Sequence, residues 1–447
     1  GGVGTPLVNL VSGGGIGVDG KVVLRWGGVG APVDVINPHG FNLGANATMY
    51  FGAISPGSAV LNIDSSGNPS QIFGNLISTA GAIAPVAPLL GCGACAFAPA
   101  IFVANGNGIV VGAGARIVAP TGVGLIGANM DTGTSINEFI ANNTWLIPAA
   151  PALGTSFISY GASQVSAKSN VEIAGAINGD FVMNTPAQYV LLAGNDVTVM
   201  NTGNVFGKNI SIFAGLVATN ALTNVAGLSN QTVNRLWNVD TGLMSVVPDV
   251  DTYAGSMTKT GGTGNIINEG SLSAAGTVPN EWILAQAAGN IRSGILGDMD
   301  VLRGFFSDQG GFLESYSDTS TVEVYNVVSG YTTNKVLPFF SVNFFAANNS
   351  GFRSDVVINA ITPGVQPSSI VTTDEASIFP PTDASVIVYG GNITIDSTIN
   401  HQPNPPGVAG PWDLLINGSK SVTINADVGA GDDVRITDGA TVVRRLA

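Results

Sequence analysis

Charge is scarce in this sequence. Its 447 residues include 29 acidic and 15 basic side chains, about a tenth of the chain, where an ordinary soluble domain carries roughly a quarter. The balance is acidic, a formal net charge of −14 with a pI near 4.3. No basic surface is therefore expected to neutralise phosphates, and nucleic acid is excluded as an expected partner. Histidine is nearly missing: His39 and His401 stand far apart, so no Ser–His pairing can be argued. Cysteine is confined to Cys92 and Cys95, in one Cys-Gly-Ala-Cys step. That inventory cannot complete a four-ligand zinc site, and neither a metal nor another cofactor is expected. Pro85, Pro88 and Pro99 around the step do not suit a helix start, so a local disulfide or a pair of buried thiols is expected in place of a redox centre.

Long unbroken apolar runs are lacking too. The stretch 82–104 is long enough to raise the question of a membrane span. It is broken by Pro85, Pro88, Gly91, Gly93 and Pro99 and has no positive flank, so no span is expected. Gly1 in place of Met leads to the expectation of a removed signal peptide. Helical periodicity is almost absent.

What is present is apolar and small. Hydrophobic residues make up 45% of the chain and glycine numbers 61. This composition can form a core, unlike that of a disordered chain, and glycine lacks the three-residue period of collagen. The recurring local unit is a polar residue followed by apolar-polar-apolar. It occurs as Asn170-Val171-Glu172-Ile173, Asp196-Val197-Thr198-Val199 and Asn209-Ile210-Ser211-Ile212. It returns as Asn392-Ile393-Thr394-Ile395, Ser421-Val422-Thr423-Ile424 and Asp433-Val434-Arg435-Ile436. Alternation over three residues marks a short strand with one face inward, and the neighbouring glycine and asparagine supply sharp corners. Short strands with frequent corners suit an all-β solenoid, a parallel β-helix, better than a β-sandwich array. Asparagines stacked from one layer to the next would satisfy their own amides, and low charge avoids like charges stacked in register.

Organisation along the chain is uneven. The expected divisions are 1–130, glycine-rich and poor in charge; 131–229, the most regular layers; 230–380, an irregular aromatic-rich insert or side module; and 381–447, returning β-helix layers. The third division includes Trp237, Trp282 and the run Phe339-Phe340-Ser341-Val342-Asn343-Phe344-Phe345.

Three ordered segments carry a resemblance. Residues 37–48 read Asn-Pro-His-Gly-Phe-Asn-Leu-Gly-Ala-Asn-Ala-Thr, and 67–76 read Gly-Asn-Pro-Ser-Gln-Ile-Phe-Gly-Asn-Leu. Residues 101–115 read Ile-Phe-Val-Ala-Asn-Gly-Asn-Gly-Ile-Val-Val-Gly-Ala-Gly-Ala. Together they resemble the amino-terminal secretion domain of filamentous-haemagglutinin-type two-partner-secretion exoproteins, with Gly106 where that family has proline. The resemblance implies a right-handed β-helix, export through an outer-membrane secretion partner, and a role at the bacterial cell surface or outside the cell. The residues matching the secretion motif are Asn68, Pro69, Gln71, Asn105, Asn107 and Gly108.

Catalytic alternatives are thin. Asp249/Asp251, Asp298/Asp300 with Arg303, and Asp432-Asp433 are formal carboxylate pairs for a carbohydrate-active β-helix enzyme, but each reads as a solvated turn. Gly14-Gly15-Ile16-Gly17-Val18-Asp19 fits a calcium-binding nonapeptide only once, where that architecture needs consecutive copies. Sequons at Asn46, Asn142, Asn209, Asn230, Asn348, Asn392 and Asn417 permit glycosylation. The expectation is a non-enzymatic extracellular protein: a subunit of a fibre joined head to tail with copies of itself or, alternatively, an adhesin binding host or glycan.

Overall fold

The computed structural model describes residues 21–26, 40–53, 59–80, 98–141, 164–178, 186–219, 237–238, 243–244, 256–259, 263–274, 282–294, 304–307, 312–317, 321–324, 327–329, 341–346, 354–358, 369–373, 384–396, 398–402, 412–426, 428, 433–438 and 441–446. Within them the chain is all-β with a single helix, Gly133–Ala141. One 29-stranded sheet dominates, paired in parallel almost throughout. Parallel strands need a crossover between them. Here the crossover is made of further strands: up to Ala176–Asn178, each strand pairs with the one three places later.

Three ladders result. The first begins with Lys21–Trp26, Ala59–Asp64, Ala100–Ala104, Val123–Ile126 and Ala187–Gly194. It continues through the second half of Asn204–Ala214 and on to Trp282–Ala287, Phe312–Ser317, Ser341–Ala346, Ala384–Ile395 and Trp412–Ile424. The second holds Asn42–Leu43, Ser70–Ile72, Ile109–Val111, Val171–Ile173, Val197–Val199, Ile266–Asn268, Ile291–Ser293, Val322–Val324 and Val356–Ile358, then the distal halves of Ala384–Ile395 and Trp412–Ile424. The third runs from Thr48–Ala53 through Asn75–Ala80, Arg116–Val118, Ala176–Asn178, the first half of Asn204–Ala214, Ser271–Ala274 and Gly304–Ser307 to Val327–Ser329.

Register makes the core. In the second ladder Ile109, Val171, Val197, Ile266, Ile291, Val322, Val356 and Ile393 stand directly above one another, all buried. Strand side chains alternate in direction, so one residue of slip would turn each column outward; the buried column fixes the pairing. A neighbouring column becomes polar at Asn268 and Ser293, and there Nδ2 of Asn268 donates to Ser293 Oγ at 3.0 Å. Columns from all three ladders close on a single core, so the sheets curl around shared contents.

The recurring sequence unit does not belong to one ladder. The copies starting at Asn170, Asp196, Asn392 and Ser421 lie in the second, whereas those at Asn209 and Asp433 lie in the first. Within 230–380, the strands from Ile266–Asn268 to Val356–Ile358 pair in the same ladders as those on either side.

From Ala59–Asp64 to Trp282–Ala287 the first ladder is also buried on its outward face. Leu61, Phe102, Leu191 and Leu284 occupy outward register positions there and are covered. Part of the cover is the helix: Phe139 meets Phe102 edge-on, ring centroids 6.0 Å apart. Gly124, in register with Phe102, leaves room for that ring, which a Cβ at this position would strike. Thr132 caps the helix, its Oγ1 accepting the Ser135 N–H at 3.2 Å.

Candidate functional site at a stacked corner

Between the first and second ladders the chain turns a corner in every cycle. Of the six residues expected from the sequence, Asn68 and Pro69 lie at the corner of one cycle and Asn105, Asn107 and Gly108 at that of the next, while Gln71 sits in the strand Ser70–Ile72 that follows. Asn105 organises it. Its Nδ2 donates to the Asn68 carbonyl at 2.8 Å and to Ser70 Oγ at 3.0 Å, while its Oδ1 accepts the Asn107 N–H at 2.8 Å. The Gly108 N–H returns to the Asn105 carbonyl, and the Ser70 N–H reaches the Gly108 carbonyl across the cycles. Asn105 is fully buried, so an unsatisfied amide here would carry its whole desolvation cost. Gly108 has φ of +100°, and a Cβ would sit 2.7 Å from the Lys168 carbonyl oxygen and 2.9 Å from that of Asn170. Only glycine fits both the dihedral and the space.

The motif divides by exposure. Asn68, Pro69 and Gln71 are exposed, whereas Asn105 and Gly108 are buried and Asn107 lies between. The Gln71 N–H donates to Oδ1 of Asn42, one cycle earlier, at 3.1 Å, leaving the Gln71 side chain outward.

Asp64 is a buried carboxylate at this corner that sequence reasoning missed. It is 3% exposed and accepts three hydrogen bonds: from the Phe41 N–H (2.9 Å), the Ser66 N–H (3.0 Å) and Ser70 Oγ (2.6 Å). The available signal was Asp-Ser-Ser-Gly at 64–67, which closes an apolar strand with turn formers.

Further along, the corner becomes a column. The residue preceding each second-ladder strand is Asn170, Asp196, Asn265, Asn290, Thr321, Asp355, Asn392 and Ser421 in turn. Each of several side-chain Oδ1 atoms accepts the backbone N–H of the next member: Asn170 from Asp196 (3.2 Å), Asp196 from Asn265 (2.7 Å), Asn265 from Asn290 (3.0 Å), Asn290 from Thr321 (3.2 Å) and Asp355 from Asn392 (3.2 Å). Short polar side chains thus satisfy the corner amides that the ladders leave over.

Other expectations fall elsewhere. Gly14–Asp19, Cys92, Cys95, Asp249, Asp251, Asp298, Asp300, Arg303 and Asp432 lie outside the described residues. So do the sequons at Asn142, Asn230 and Asn348. Asn209 is 2% exposed, so its sequon cannot carry a glycan on the folded chain; Asn46 is exposed. Among the described residues no group of three His, Cys, Asp or Glu side chains is arranged to hold a metal ion, and no helix is long and apolar enough to cross a membrane. No protein-family model and no curated protein sequence matches the chain.

Proposed function

We propose that the three ladders wind as a right-handed parallel β-helix, and that the chain is a non-enzymatic surface protein exported in the manner of filamentous-haemagglutinin-type exoproteins. The observation that carries this reading is the corner itself. Asn68, Pro69 and Gln71 present side chains to solvent, and Asn105, Asn107 and Gly108, distant in sequence, fix the backbone beneath them. An outer-membrane secretion partner would read the exposed set, and the buried set would hold it in shape. The buried or half-buried carboxylates support a structural role. Asp64, Asp196 and Asp355 are engaged as acceptors for backbone N–H groups, an arrangement that holds turns.

On this reading the protein works at the bacterial cell surface or outside the cell, as a subunit of a fibre of its own copies or, alternatively, as an adhesin binding host or glycan. Fractionation of the native cells, together with incubation of the purified protein with a panel of polysaccharides, tests both halves. Surface-accessible protein that releases no sugar is expected. Protein confined to the cytosol, or robust glycan cleavage abolished by a single Asp substitution, would overturn it.

A further inference from the structure

The corner between the second and third ladders carries a column of its own. The residue after each second-ladder strand donates its N–H to the last strand carbonyl of the preceding cycle: Phe73 to Leu43, Gly112 to Ile72, Ala174 to Val111, Met200 to Ile173 and Glu269 to Val199. Equivalent positions on successive cycles are therefore Gly44, Phe73, Gly112, Ala174, Met200 and Glu269. Two of these, Phe73 (38%) and Met200 (39%), are the exposed large apolar side chains among the described residues.

A lone exposed apolar side chain needs no special account, but Phe73 is flanked by glycine on both sides. Gly112, one cycle on, is buried and has no left-handed φ, so its backbone does not call for glycine. The ring does: a Cβ at 112 would strike Cδ1 and Cε1 of Phe73. One cycle earlier, a Cβ at Gly44 would meet open space. The ring thus rests on the backbone of one cycle and borders a gap over the other. Exposed Gly44 floors that gap, and the exposed Asn42 and Gln71 rim it. Met200, by contrast, stands between Ala174 and Glu269, which both carry side chains.

Building on the export reading, the geometry points to Phe73 as a further recognition residue, beside which an apolar side chain of the outer-membrane secretion partner enters the gap. Continuity selects this occupant. Phe73 follows Gln71 by two residues, about 7 Å of extended chain, on the same segment as Asn68 and Pro69, and all four are exposed. A ring already held in place loses little freedom on binding, and aromatic anchors often carry much of an interface's energy. A sugar ring stacked on Phe73 is the competing occupant. Export separates the two, because glycan capture outside the cell does not require Phe73 for passage through the membrane.

The test compares the fraction of full-length chain found outside the native cells for the wild type, for Phe73→Ala, Phe73→Leu and Met200→Ala, and for Asn68→Ala with Gln71→Ala. Urea unfolding of each purified chain shows that it folds. Phe73→Ala should lower export at least about tenfold, whereas Phe73→Leu, which keeps apolar bulk, should lower it no more than about threefold. Met200→Ala, equally exposed on the same column, should leave export unchanged. Gly112→Ala should lower export with Phe73 still present, by pushing the ring off its seat. If Phe73→Ala fails to fold, Phe73→Gln reads the same loss. Folded Phe73 variants exported at the wild-type level, with the Asn68/Gln71 pair retained inside, would overturn the role of Phe73 and leave the export reading standing. An equal loss with Met200→Ala would also overturn it, by assigning the effect to apolar exposure in general. A wild type confined to the cytosol would overturn both readings.

Discussion

Asn105 makes three hydrogen bonds from a fully buried position, and Asn68 and Gln71 contribute exposed side chains to the same corner. Substitution separates their roles. Asn105→Ala strands the Asn68 carbonyl and the Asn107 N–H and should cost about 2–4 kcal/mol in urea unfolding. Asn68→Ala and Gln71→Ala should each stay within about 0.5 kcal/mol, as exposed substitutions usually do. Tyr189 offers a pH test. Burial pushes its phenol well above the ordinary value, with the Ser211 hydrogen bond opposing. The unfolded chain therefore releases the phenolic proton near pH 10 while the folded chain keeps it, so stability is full below that pH and falls as pH rises beyond it. Urea midpoints at pH 9 and pH 11 should show the decline, and Tyr189→Phe should reduce its slope; an unchanged slope would assign the alkaline loss to other groups.

At the scale of strands and corners, the sequence exposes the unit but not its address. Alternation in Asn170–Ile173 or Ser421–Ile424 says which side chains point inward, and the structure agrees: Val171 and Ile173 are buried, with Glu172 exposed. It cannot say which ladder a unit joins, because in parallel pairing the partner lies a whole cycle away. The intervening segments range from the short step between Ile173 and Ala176 to the long one between Ala214 and Ile266. The same uncertainty hides the strands inside 230–380, where Ile266-Ile267-Asn268 and Ile291-Arg292-Ser293 replace an inward apolar residue with a polar one. The hydrogen bond from Asn268 to Ser293 helps make that replacement tolerable. The corner residues came forward through a family resemblance and not through spacing; the structure adds the positive φ at Gly108 and the hydrogen bonds of Asn105. Gly108→Ala should destabilise by at least about 2 kcal/mol, through strain at a left-handed dihedral together with contact against two carbonyl oxygens. Thr132→Ala should cost about 1 kcal/mol by removing the helix cap, and hydrogen exchange should place the loss at Gly133–Ala141.

Across the whole molecule, burial is lopsided in a way that composition could not reveal. Between Ala59–Asp64 and Trp282–Ala287 the first ladder carries apolar residues on both faces and is covered on both, with Phe139 of the helix packed on Phe102. The second keeps an outward row of Gln71, Val110, Glu172, Thr198, Ile267, Arg292 and Glu323 that is exposed or half-exposed. Arg292 and Glu269 pair on that row at 2.9 Å, a contact worth about 0–1 kcal/mol in solvent. Export is the claim that joins the corner to function, and one measurement addresses it: the fraction of the chain found outside the cells that make it, for the wild type and for Asn68→Ala with Gln71→Ala. The account predicts wild-type protein outside, and a folded double variant retained inside with export reduced at least about tenfold, consistent with loss of two exposed recognition side chains. Equal export of both, or a wild type that never leaves the cytosol, would contradict it.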